Sequence, residues 1–63
     1  MNTQQTLTSG NRAVVINQQD GLVWATLYVN ARDGIQNADI TSTRWQGRTV
    51  AGALRFAQRV LEG

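Results

Sequence analysis

The sequence predicts an α+β domain: a three-stranded antiparallel β-meander with one C-terminal α-helix packed on one face, in the order β-β-β-α. Two observations carry this. Leu22–Asn30, reading Leu-Val-Trp-Ala-Thr-Leu-Tyr-Val-Asn, is the longest run rich in β-branched and aromatic residues. An Asp-Gly pair stands at either end of it, Asp20-Gly21 before and Asp33-Gly34 after. Asp-Gly readily takes the positive φ of a tight hairpin turn, so the run reads as the middle strand of a meander. The second observation is the stretch Arg48–Glu62, where apolar residues recur at helical spacing.

Taken in order, Met1–Asn11 is Thr, Gln, Asn and Ser around Leu7 and Gly10. So little apolar surface does not offset the entropy of ordering the chain, so residues 1–11 read as a flexible N-terminal tail and residues 12–63 as the single folded domain. Arg12–Gln18, with Val14, Val15 and Ile16, reads as the first strand. With Asp20-Gly21 as a two-residue turn, Gln19 faces Leu22, Ile16 faces Ala25 and Val14 faces Leu27. One face then collects Val14, Ile16, Val23, Ala25, Leu27 and Val29, which is almost wholly aliphatic.

The third strand, Ala38–Trp45, follows the same logic. A two-residue turn at Asp33-Gly34 sets Val29 opposite Ala38, Leu27 opposite Ile40 and Ala25 opposite Ser42. Ala38 and Ile40 join the aliphatic face, and Asp39, Thr41, Thr43 and Trp45 join the other. A wider loop through Ile35–Asn37 would shift this register by one. In the helix, Thr49 is suited to N-cap and Gly63 to a stop, and Val50, Ala53, Leu54, Phe56, Ala57, Val60 and Leu61 fall within about 160° of arc. Thr43–Gln46 also has capping-box spacing, but Gly47 and the strand-like Ile40–Thr43 favour the later start. The helix then covers the aliphatic face, with Leu27, Ile40, Leu54 and Leu61 most buried.

Composition limits the function. With 63 residues, no Cys and no His, the chain has no disulfide framework, and it lacks the commonest metal ligand and general base. A domain this small without staples often relies on oligomerisation. The four acids are Asp20, Asp33, Asp39 and Glu62, and the first two are explained by turn chemistry. The glycines form no phosphate-cradling loop. The expectation is a protein that is not an enzyme and needs no metal or cofactor. No basic region followed by an apolar run opens the sequence, and no stretch reaches membrane-spanning length, so a soluble, cytoplasmic protein is expected.

Two surfaces look built for contact. On the open sheet face stand Trp24, Thr26 and Tyr28 from the middle strand and Trp45 from the third, an aromatic patch of the kind that marks interfaces. A homodimer packing these faces together is the first expectation, and a host or mobile-element protein the next. The tail covering the face is the structural alternative. On the solvent side of the helix, Arg48, Arg55 and Arg59 lie within about 40° of one another with Gly52 beside them, a stripe suited to an acidic protein surface or to nucleic acid. All six basic residues are arginine, which favours bidentate contacts to carboxylate or phosphate.

The β-β-β-α layout of Arg12–Gly63 resembles that of AP2-type domains and the arm-binding domains of phage integrases, which implies a sheet that enters the major groove of DNA. In those families the outer face is basic, whereas here it carries Trp24, Tyr28 and Trp45. In size, lack of catalytic groups and aromatic face, the chain also looks like the small inhibitors of phages and plasmids, anti-CRISPR proteins among them. That likeness implies stoichiometric binding to a protein target. The protein-binding reading is preferred because the net charge is only +2, and a nucleic-acid-binding regulator is the alternative.

Overall fold

The computed structural model describes residues 3–62. Four strands, β1 (Thr3–Ser9), β2 (Arg12–Gln19), β3 (Leu22–Val29) and β4 (Asp39–Gly47), are followed by one helix, α1 (Val50–Glu62). The strands form one antiparallel sheet in the order β1-β2-β3-β4, and α1 packs against one side of it. The α+β class with a C-terminal helix is therefore present, with four strands in place of three.

The extra strand comes from the segment expected to be a tail. Thr3–Ser9 pairs with β2 from Thr3↔Gln18 to Ser9↔Arg12 across the two-residue loop Gly10-Asn11. Gly10 has φ 59°, the positive value that the first loop position of a type II′ hairpin turn requires. Its threonines suit an extended backbone, and Leu7, opposite Val14, packs against the core. Met1 and Asn2 lie outside the described residues, as does the Gly63 stop.

The β2–β3 hairpin has the expected register: Gln19↔Leu22, Ile16↔Ala25 and Val14↔Leu27. Asp20 and Gly21 have φ 52° and 81°, positive at both loop positions as a type I′ turn demands. In α1, the hydroxyl of Thr49 accepts from Gly52 N at 3.2 Å, so Thr49 is the N-cap and the capping-box alternative within β4 is unused.

The third hairpin departs from expectation. Asp33-Gly34 is not its tip. The chain leaves β3 through Asn30 (φ 57°), Ala31 N donates to Asn11 O at 2.9 Å, and a single 3-10 turn, Ile35–Asn37, precedes β4. Ala31 is thereby buried, and the longer connection sets Val29 opposite Asp39 rather than Ala38. A one-residue slip exchanges the faces of a strand. Ile40 consequently lies opposite Tyr28 on the open face, and Trp45 lies opposite Ala25 on the helix face. Between them β4 bulges, with Thr41 to Thr43 opposing Leu27. Thr41 holds the bulge: its hydroxyl donates to Leu27 O at 2.8 Å and accepts from Thr43 N at 3.1 Å.

The core lies between α1 and the sheet, built from Val14, Ile16, Val23, Ala25, Ala53 and Ala57, with Leu7, Leu27, Trp45, Val50, Phe56, Val60 and Leu61 around it. The small residues Gly52, Ala53 and Ala57 face the sheet and allow the helix to lie close. Of the four side chains expected to be most buried, Leu27 and Leu61 are half-buried, while Ile40 and Leu54 are exposed by 59% and 39%. Ile40 is displaced by the register slip, and Leu54 sits at the rim because the helix turns its small residues inward. The largest fully buried side chains are instead Val14 and Val23. Arg12 secures the far end of the helix, donating from Nη1 to Val60 O at 2.9 Å.

Candidate binding face

The pairing registers place the open-face side chains in rows across the sheet. Gln4, Asn17, Trp24 and Gln46 form one row, Thr6, Val15, Thr26 and Arg44 the next, and Thr8, Ala13, Tyr28 and Ile40 the third. The β3 residues stand at the middle of the face because β3 is an interior strand. Leu22 continues the same face at its end, paired with Gln19. The helix occupies the other side and β1 extends the sheet in its own plane, so among the described residues no element lies over these rows.

The face has relief. Ala13 and Val15 are buried despite lying on it, because taller neighbours wall them in. Trp24 and Tyr28 are half-buried, whereas Leu22 (41%) and Ile40 (59%) are exposed. Trp24 is the ridge between two shallow depressions. One of about 420 Å³ runs over Thr26, Ile40, Arg44 and Gln46; the other, about 290 Å³, lies towards Thr3, Gln4, Asn17 and Gln19. The rows contain one guanidinium, Arg44, and no carboxylate. Rings, an exposed aliphatic group, amides and hydroxyls with a single cation are suited to apolar docking with hydrogen bonding at the margins.

Three of the four residues expected on this face, Trp24, Thr26 and Tyr28, are brought together there. Trp45 is not. Its ring is wedged between sheet and helix: a Cβ added at Gly47 would lie 2.5 Å from its Cη2, and one at Gly52 2.6 Å from its Cζ2. Gly52 is therefore buried as the seat of an indole ring, which corrects its assignment to the exposed arginine stripe. The stripe itself is reduced. Arg55 and Arg59 are exposed on α1 and border a small depression with Trp45 and Phe56, but Arg48 precedes the helix. Asp39, expected on the open face, instead accepts from Asn30 Nδ2 at 2.6 Å at the β4 entry.

Sequence reasoning missed Ile40 and Arg44, since it put Ile40 in the core and gave Arg44 no place on the open face. The available signal was the wider loop through Ile35–Asn37, which shifts the register by one. Compared with models of protein families, with curated proteins and with solved structures, the chain matches none. The functional reading therefore rests on the face itself.

Proposed function

We propose that this is a small, non-catalytic binding protein that acts by stoichiometric contact, using the open sheet face to engage a protein partner. It would work in the manner of the small inhibitors of phages and plasmids, by occupying a surface its target needs. The observation that carries this is the concentration of Trp24, Tyr28, Leu22 and Ile40 on a face with no covering layer among the described residues. Aromatic and aliphatic anchors flanked by polar groups are what a protein interface buries at its centre.

The distribution of charge supports a protein over a nucleic acid. Arg44 is on the open face, Arg55 and Arg59 are on the opposite layer, and Arg12 is committed to the helix carbonyl. Tracking a phosphate backbone requires several cations along one surface. The acids favour no catalytic assignment either, since Asp20 lies in a turn, Asp33 is exposed in the β3–β4 connection, Asp39 is bonded to Asn30 and Glu62 pairs with Gln58 at the helix end.

The test uses the immobilised protein as bait in a bacterial lysate, beside titrations of generic DNA and RNA over a range of salt. Trp24→Ser should abolish capture of a specific protein while leaving the fold intact, and nucleic-acid binding should be negligible near 150 mM salt. Tight, steeply salt-dependent DNA or RNA binding that disappears with Arg44→Glu would overturn the reading.

A further inference from the structure

The two edges of the sheet are built differently. β4 is interrupted by the bulge at Thr41 to Thr43, has a side chain bonded to its neighbour's carbonyl, and carries Asp39 and Arg44. Bulges and charges are the devices that keep edge strands from pairing with other chains. β1 has none of them. Thr3–Ser9 reads Thr-Gln-Gln-Thr-Leu-Thr-Ser, with no charge, no proline and no break in its register against β2. The loop at Gly10-Asn11 makes Ser9 and Arg12 a hydrogen-bonded pair, and pairs alternate from there along the ladder. The backbone N–H and C=O groups of Gln4, Thr6 and Thr8 therefore point away from β2, along the free edge.

We propose that β1 pairs antiparallel with β1 of a second copy, about a two-fold axis at Thr6, and joins two sheets into one continuous sheet. In this register Thr6 meets Thr6 of the second copy, and Gln4 meets its Thr8. These are the residues whose backbone groups face outward, so every such group is satisfied at once. Thr–Thr neighbours are favourable across a strand pair, and no like charges are set opposite each other.

The helix layer fits the same seam. Trp45 packs against Gly52 on the β4 side of α1. Leu54, about 160° further round the helix, therefore belongs to the β1 side, and it is 39% exposed there. Leu7 falls opposite Gln5 of the second copy and diagonal to its Leu7, within reach of a long side chain. The two-fold axis puts both helices on one side of the joined sheet, with Leu7, Leu54 and Leu61 of each copy lining the groove between them. The flank is about 23 Å long from the rise of its strand, and the molecule's smallest extent is 17 Å. That bounds the footprint at about 400 Å² per copy, below a standard specific interface, as suits a weak, exchanging pair held mainly by backbone hydrogen bonds. This pairing leaves the aromatic rows of both copies uncovered on the other side, and it stands independently of the partner they engage.

Sedimentation equilibrium from micromolar to millimolar concentrations tests it. The weight-average mass of the wild type should rise from 6.9 kDa towards twice that value. Thr6→Pro removes an outward N–H but no bond to β2, and Thr6→Lys sets two charges side by side at the axis. Each should weaken dimerisation at least about tenfold with an unchanged circular-dichroism spectrum. Since the chain has no cysteine, Thr6→Cys supplies one thiol per copy, and a short bifunctional maleimide should join the two into a single cross-linked dimer, paired Cα atoms being about 5.5 Å apart at such a position. A wild type that stays monomeric into the millimolar range would overturn the proposal. So would dimerisation that survives both edge variants and is lost in Trp24→Ser, because the seam would then be the open face. Loss of lysate capture in Trp24→Ser with the dimer intact separates the partner reading from this one.

Discussion

Substituting Gly52 by alanine tests the packing of sheet against helix most directly, because two opposing effects decide the outcome. On an exposed helical face Gly→Ala stabilises by about 0.5–1 kcal/mol, through lower backbone entropy in the unfolded chain and better helix propensity. Here the added Cβ would meet Trp45 Cζ2 at 2.6 Å and Cη2 at 2.9 Å, with Thr49 Oγ1 at 3.1 Å. Carbon atoms in contact prefer about 3.5–4.0 Å, so the indole must retreat by about 1 Å. The same edge of the ring already abuts Gly47, where a Cβ would fall 2.5 Å from Cη2, so retreat towards that backbone is limited. Overpacking of this kind costs about 1–3 kcal/mol and exceeds the propensity gain, so Gly52→Ala should destabilise by about 1 kcal/mol or more.

Urea unfolding followed by far-ultraviolet circular dichroism measures this as a lower midpoint with an unchanged slope. The decisive arm is the same change in a Trp45→Leu background. With the ring gone, Gly52→Ala should change sign and stabilise, and the cycle should return a coupling of about 1–3 kcal/mol. Stabilisation by about 1 kcal/mol in the wild type would refute the reasoning and put Gly52 back on the solvent face.

The other stability predictions follow from burial and capping. Val14 is fully buried and Leu27 only half-buried, so Val14→Ala should cost about 2 kcal/mol and Leu27→Ala no more, although leucine loses more atoms; thermal melts of the two variants rank them. Thr49→Ala should cost about 1 kcal/mol by leaving Gly52 N without its 3.2 Å partner, and Thr49→Ser should restore most of that in the same melt.

How much of this was legible in the sequence differs from element to element. The β2–β3 hairpin was, because Asp20-Gly21 specifies both a turn type and a loop length, and loop length sets register. The start of α1 was too, since Thr49 precedes the periodic residues and caps them through its own side chain. β1 was not recognised because it was judged by apolar content. Its signal was the Gly10-Asn11 pair, which marks a hairpin as Asp-Gly does, and the strand gains order by extending a ladder already in place. Gly52 was not legible, because what fixes it is an indole arriving from β4, which helical periodicity by itself cannot reveal.

The candidate site depended on one uncertain length. Asp33-Gly34 carries the same two letters as Asp20-Gly21, yet it sits inside a longer connection tied down by Ala31 N to Asn11 O, a bond to the neighbouring β1–β2 loop at the same end of the sheet. No local signal anticipates a bond to a loop so distant in sequence. Its consequence is not local either: moving Asp39 opposite Val29 exchanges the two faces of β4, sends Trp45 into the packing between sheet and helix, and brings Ile40 and Arg44 out beside Tyr28 and Thr26. The later bulge places Thr41 to Thr43 opposite a single residue, which preserves the face assignment while advancing the strand. The core thus gains a large ring that compensates for its small valines and alanines. The open face exchanges an aromatic ring for an exposed isoleucine and a guanidinium. The chemistry offered to a partner is set by the β3–β4 connection as much as by the aromatic strand.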